Sequence, residues 1–207
     1  MDSAHLILFI VTSLFLIATP GPDMILVMSR SIAIGQKAGV ATAAGISTGL
    51  LGHTLFATLG LGAILQTSEM LFTTFKFCGA AYLLYLGIKS FRAPLATMDI
   101  SKNRQIPYRK LFFQGVIANL SNPKIAIFYF AYLPQFVSAD SSNPTLILCI
   151  LGLVFAMLTF LIKSPVALFS GRLSDWLRQN PSIQSWLNRT SGVVMIGLGV
   201  RLAFERR

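Results

Sequence analysis

Apolar residues run in long stretches separated by short polar segments, a pattern that predicts helices crossing a bilayer rather than the half-polar helices of a soluble domain. Six spans are predicted: about Ala4–Met28, Ala38–Leu65, Leu71–Ile88, Lys110–Val137, Thr145–Phe169 and Leu187–Phe204. Each is close to the ~20 residues that ~30 Å of hydrocarbon requires. Two of them are interrupted, the first at Pro20-Gly21-Pro22-Asp23 and the fourth at Asn122-Pro123. A proline removes a backbone N–H and clashes with the preceding helical turn, and Gly21 permits backbone angles other residues avoid. Freed backbone groups find no water in hydrocarbon, so such a break persists where it lines a cavity. The two breaks therefore predict a transport or ion pathway.

Composition sharpens this reading. Of 207 residues, 54% are hydrophobic and 12% charged, with a mean hydropathy of +0.69. A soluble domain of this length would expose too much apolar surface. The expectation is a single transmembrane domain over residues 1–207, with a first half at about 1–92, a loop at about 89–110 and a second half at about 110–207. Met1 to His5 contain no Lys or Arg and no A-x-A site follows, so the first run is expected to remain as a helix rather than be cleaved.

The net charge of +10 does not indicate nucleic-acid binding, because the basic residues lie mainly between the apolar runs. Eleven of them fall in alternate loops: Arg30, Lys37, Lys89, Arg92, Lys102, Arg104, Arg109, Lys110, Arg172, Arg178 and Arg189. The short loops on the other side carry Glu69 and Asp140 and no basic residue. The positive-inside rule then makes loop 89–110 cytoplasmic and the N-terminus periplasmic. Arg201, Arg206 and Arg207 run against this count, and a last segment that fails to span would place them inside.

The paired breaks suggest a 3+3 inverted repeat with helices 1 and 4 broken, an arrangement that points to a midplane substrate site. Leu86-Gly87-Ile88-Lys89 at the end of the third span has a counterpart in Leu198-Gly199-Val200-Arg201 of the sixth.

Candidate chemistry clusters at the breaks. Asp23 is costly at membrane depth. It could carry a proton or pair with a substrate ammonium, or it could cap the restarted helix. His53 shares a helix face with Gly45, Gly49 and Gly60, so it faces protein, either as a proton relay or as a polar tie between helices. The Gly45-x-x-x-Gly49 pattern permits close helix approach within one chain or between two copies. Asn119, Asn122 and Lys124 surround the second break, where Pro123 frees the Asn119 carbonyl. They could hold a substrate carboxylate, or Lys124 could snorkel to an interface. Lys76 and Lys163 are expected to be snorkelling anchors. Tyr82, Tyr85, Tyr129 and Tyr132 suit an interface belt or a cavity wall. Cys78 and Cys149 lie within apolar runs. No metal or nucleotide motif is present, so no cofactor is expected and transport would run on an ion or substrate gradient.

A-T-P-G-P-D-M-I-L-V (18–27), G-A-A-Y-L-L-Y-L-G-I-K (79–89), N-L-S-N-P-K-I-A-I-F (119–128), L-P-Q-F (133–136) and L-N-R-T-S-G (187–192) together resemble the LysE/RhtB amino-acid exporters of bacteria. The stretches keep the family's order and span nearly the whole chain. The resemblance implies six helices, the bacterial inner membrane, and export of amino acids or close derivatives by a proton-motive-force-driven, antiport-like mechanism. It implies Pro20, Gly21, Pro22 and Asp23 as one helix break and Asn122, Pro123 and Lys124 as the other. Many members carry Asn at the position of Asp23, so a titrating acid there is not general to the family. Export of another small solute, such as a metal cation or a toxic amino-acid analogue, is an alternative. So is an intramembrane thiol–disulfide electron carrier, which would need a reactive cysteine pair.

Overall fold

The computed structural model describes residues 3–18, 21–61, 69–91, 106–137, 141 and 143–204, and every regular element among them is helical. Pro20 lies outside the described residues, as do Arg92, Lys102, Arg104, Asp140, Arg206 and Arg207. The elements are α1 (Ser3–Ala18), α2 (Pro22–Ile34), α3 (Gln36–Phe56), α4 (Glu69–Phe91), α5 (Tyr108–Leu120), α6 (Pro123–Ile127), α7 (Pro144–Gln179) and α8 (Pro181–Phe204). α3 continues into a π-helical turn over Ala57–Leu61. α6 continues into a π turn over Phe128–Tyr132 and a 3-10 turn over Leu133–Phe136.

Both predicted breaks are present as helix junctions. The first predicted span is a pair, Leu6–Ala18 and Pro22–Ile34, bent by 51°. By length and composition, two unbroken helices can cross a membrane, over Gln36–Gly60 and Pro144–Arg172, and the bent pair makes a third. The six-span expectation is thus met only in part among the described residues. α4 carries Lys76 and Lys89 within its run, α5 stops at the second break, and α8 begins with a polar stretch from Ser182 to Thr190.

Glycine sets the closest helix approaches. A Cβ on Gly45 would collide with the Phe112 backbone, and one on Gly49 would lie 2.9 Å from Asn119 Cβ. α3 and α5 therefore run parallel and nearly touch, so the Gly45-x-x-x-Gly49 face is used inside the chain. Gly87 abuts Ile196 and Gly192 of α8, while Gly199 faces Ala80 and Leu84 of α4, so α4 and α8 pack antiparallel.

The core lies where α1, α3, α6 and α7 meet. It is built from Phe9, Leu50, Phe128, Tyr129, Tyr132 and Phe155, among others. Phe128 stacks on Phe155 with ring centroids 4.7 Å apart. Tyr132 donates to Thr12 Oγ1 at 2.6 Å, tying the segment after the second break to α1. α7 turns Leu146, Ile150, Leu153, Met157, Leu161 and Leu168 outward, an i, i+3/i+4 stripe suited to lipid. Its opposite face carries Phe155, Thr159, Lys163 and Ala167, all buried.

Candidate functional site

The site forms where the two breaks meet. Pro22 occupies the first turn of α2, with Gly21 at the N-cap and no side chain capping the helix. Gly21 has φ −151° and ψ −177°, extended backbone that any residue adopts, so the break does not draw on glycine's special freedom. Asp23 is 7% exposed and does not cap α2. It turns toward the second break instead, accepting a hydrogen bond from Asn119 Nδ2 at 2.9 Å and one from Asn122 Nδ2 at 3.1 Å. These two bonds join α2 to the α5–α6 junction across 96 and 99 residues of sequence.

At the second break Asn122 serves two elements. Its Oδ1 accepts from the Lys124 backbone N–H at 3.1 Å, capping α6, while its Nδ2 faces Asp23. The Asn119 carbonyl, which Pro123 cannot reach as a donor, accepts from the Asn122 N–H at 2.9 Å and pairs with His53 Nε2 at 3.1 Å. A carbonyl only accepts, so this partner assigns the hydrogen to Nε2 of His53. The ring also packs against Tyr129, centroids 5.6 Å apart, and His53 is buried at 4% exposure. Tyr129 is fully buried, within hydrogen-bonding distance of Thr54 Oγ1 at 3.3 Å and of the Gly152 carbonyl at 3.4 Å. Tyr129 and Tyr132 are thus core residues, whereas Tyr85 is exposed.

A cavity of about 30 Å³ opens beside Asp23, bounded by Gly21, Pro22, Asn122, Lys124, Thr159 and Lys163 together with apolar neighbours. This holds a water or two and not an amino acid. Asp23, Asn122 and Lys124 reach the cavity wall; His53 and Asn119 stand behind it, Asn119 through its bond to Asp23.

Lys163 corrects the sequence expectation. It is not a snorkelling anchor but is 5% exposed on the inward face of α7, in the same cavity as Asp23 and Lys124. Sequence reasoning missed it and Thr159, although a signal existed: the two polar residues lie four apart within the most apolar helix, and so share one face. Lys76 is half-buried on α4, its Nζ 4.7 Å from the Phe77 ring centroid. Cys78 is exposed on α4, Cys149 is half-buried on α7, and both are free thiols on helices other than those that meet at the breaks.

Comparison with known proteins agrees with this architecture. The LysE type translocator family matches residues 14–206. The chain is 31% identical to the uncharacterized membrane protein YrhP of Bacillus subtilis, covering 95% of this chain and 97% of that one. It is 33% identical to a homoserine/homoserine lactone efflux protein of Salmonella typhimurium, over 96% and 95% of the two chains. It is 29% identical to the uncharacterized membrane protein PA4757 of Pseudomonas aeruginosa, over 94% and 93%. No solved structure matches it. A family match over nearly the whole chain, together with relatives equal to it in length, establishes that the chain belongs to the LysE type translocators.

Proposed function

We propose that this protein is a secondary exporter of amino acids or close derivatives across the bacterial inner membrane, driven by the proton motive force. One observation carries the reading: the two helix breaks meet through Asp23, Asn119 and Asn122 beside a cavity that Lys124, Thr159 and Lys163 line among apolar side chains. Family membership and the efflux protein of Salmonella typhimurium support the substrate class. Two lysines beside Asp23 disfavour a metal cation as cargo, because a bound cation would meet basic side chains there.

The proposed architecture is one transmembrane domain of two inverted halves, α1–α4 and α5–α8. Support comes from the antiparallel packing of α4 on α8 through Gly87 and Gly199, and from the contact between the two breaks. Loop 89–110 is cytoplasmic in this proposal and the N-terminus periplasmic. With the cavity too small for an amino acid, transport requires the broken helices to part from α7 on one side at a time. Asp23 exchanges its proton or pairs with the substrate ammonium. His53 acts at one remove, by holding the Asn119 carbonyl and so the amide that faces Asp23.

The test is a screen of the external medium of cells overproducing the protein, with and without a protonophore. We expect an amino acid with an uncharged side chain, or a close derivative, to accumulate outside and the protonophore to abolish it. Accumulation that ignores the protonophore would refute proton coupling, and release of no amino compound would refute the substrate class. Asp23→Asn should lower proton-driven export sharply, whereas His53→Ala should weaken it without uncoupling it.

A further inference from the structure

The proposed site brings two basic side chains to one acidic one. One carboxylate, Asp23, shares the cavity with two ammonium groups, Lys124 from α6 and Lys163 from α7. Each oxygen of Asp23 already accepts one amide hydrogen. A buried cation left without a counter-charge is expensive. Lys163 lies well inside the apolar stretch of its helix. Arg172, which closes the apolar stretch, is nine residues on, roughly 13 Å at 1.5 Å per residue.

Thr159 points to the same place independently. It is 2% exposed, it lies on the cavity wall one turn before Lys163, and its Oγ1 has no hydrogen-bond partner. Other helical threonines satisfy the hydroxyl by donating to the carbonyl four residues back, as Thr12, Thr42, Thr54 and Thr190 do. Thr159 keeps its donor for the cavity.

We propose that Lys163, Lys124 and Thr159 form a carboxylate receptor, which makes a free α-carboxylate the feature by which this transporter selects its substrate. This rests on the exporter reading above and adds the specificity-determining residues. In the opened site the carboxylate of an amino acid lies by Lys163 and Lys124 with the Thr159 hydroxyl donating, and its ammonium lies against Asp23. A lactone of the same amino acid keeps the ammonium and loses the anion, so it gains nothing from Lys163.

The experiment compares labelled L-homoserine with L-homoserine lactone as probes, each taken up by inverted vesicles containing the full-length protein. For Lys163→Met, the ratio of transport efficiencies, homoserine over lactone, should fall about tenfold or more, and Lys163→Arg should restore most of it. Thr159→Val, which keeps the side-chain shape, should lower the same ratio by a smaller factor and raise KM for homoserine. It provides the test even if Lys163→Met does not fold. A ratio unchanged in Lys163→Met, or equal loss of both probes in Lys163→Met and Thr159→Val, would overturn the receptor while leaving the exporter reading intact. Wild-type protein that carries neither probe nor any other amino acid overturns both.

Discussion

The two helix breaks share a chemical plan, a proline that ends one helix and begins the next, but they use their polar side chains in opposite ways. At the first, α2 begins at Pro22 without a side-chain cap, and Asp23 sends both oxygens to the other break. At the second, Asn122 keeps its oxygen at home to cap α6 and sends only its amide donor across. One junction is thus self-sufficient, while the other depends on its partner. The difference follows from side-chain inventory: an ionised carboxylate has only acceptors, whereas an amide divides acceptor from donor. A pathway that opens by separating the breaks would leave the Asn122 cap intact and expose Asp23.

Substitutions can break this asymmetry. Asp23→Ala should have the largest effect, since it leaves two buried amides without their acceptor and removes the carboxylate that shares a cavity with two lysines. Leaving a buried donor unsatisfied costs about 1–3 kcal/mol per group, measurable as a large fall in the unfolding midpoint in detergent. Asn122→Asp comes next. It preserves the α6 cap but sets a second carboxylate against Asp23 and deletes a donor, at about 2–3 kcal/mol. If the variant proves as stable as wild type, the two breaks are not coupled as described.

Gly49→Ala is a subtler probe, because its Cβ would lie 2.9 Å from Asn119 Cβ and push that residue off Asp23 without changing any charge. Overpacking of this kind costs about 1–2 kcal/mol, and Gly60→Ala, with nothing within 4 Å of the new Cβ, is the matched control. The smallest effect is expected from Gly21→Ser, which supplies α2 with the cap it lacks. The gain should be a few tenths of a kcal/mol, and a loss above about 1 kcal/mol would show that the glycine is required after all.

Much of this was legible in one dimension. Proline and asparagine placed both junctions, because a missing N–H and a local side-chain acceptor act within a few residues. Gly45 and Gly49 marked a close approach for the same local reason. Lys163 was misread because in a membrane the direction a side chain faces decides its environment. Lys124 and Lys163 sit equally well at an interface or in a cavity until neighbouring helices close around them. The capping reading of Asp23 was plausible locally and yielded to partners almost a hundred residues away.

By itself, then, the sequence determined an all-helical membrane protein interrupted at two points, since apolar run length and proline chemistry are properties of short segments. The tertiary structure decided which polar groups meet: Asp23 with two distant amides, His53 with the carbonyl that Pro123 had freed, and Thr159 and Lys163 with the cavity between the breaks. Those encounters depend on helix phase and packing. The close approach permitted at Gly45 and Gly49 holds α5, and with it Asn119, against α3, which is how groups far apart in the chain come to face one another.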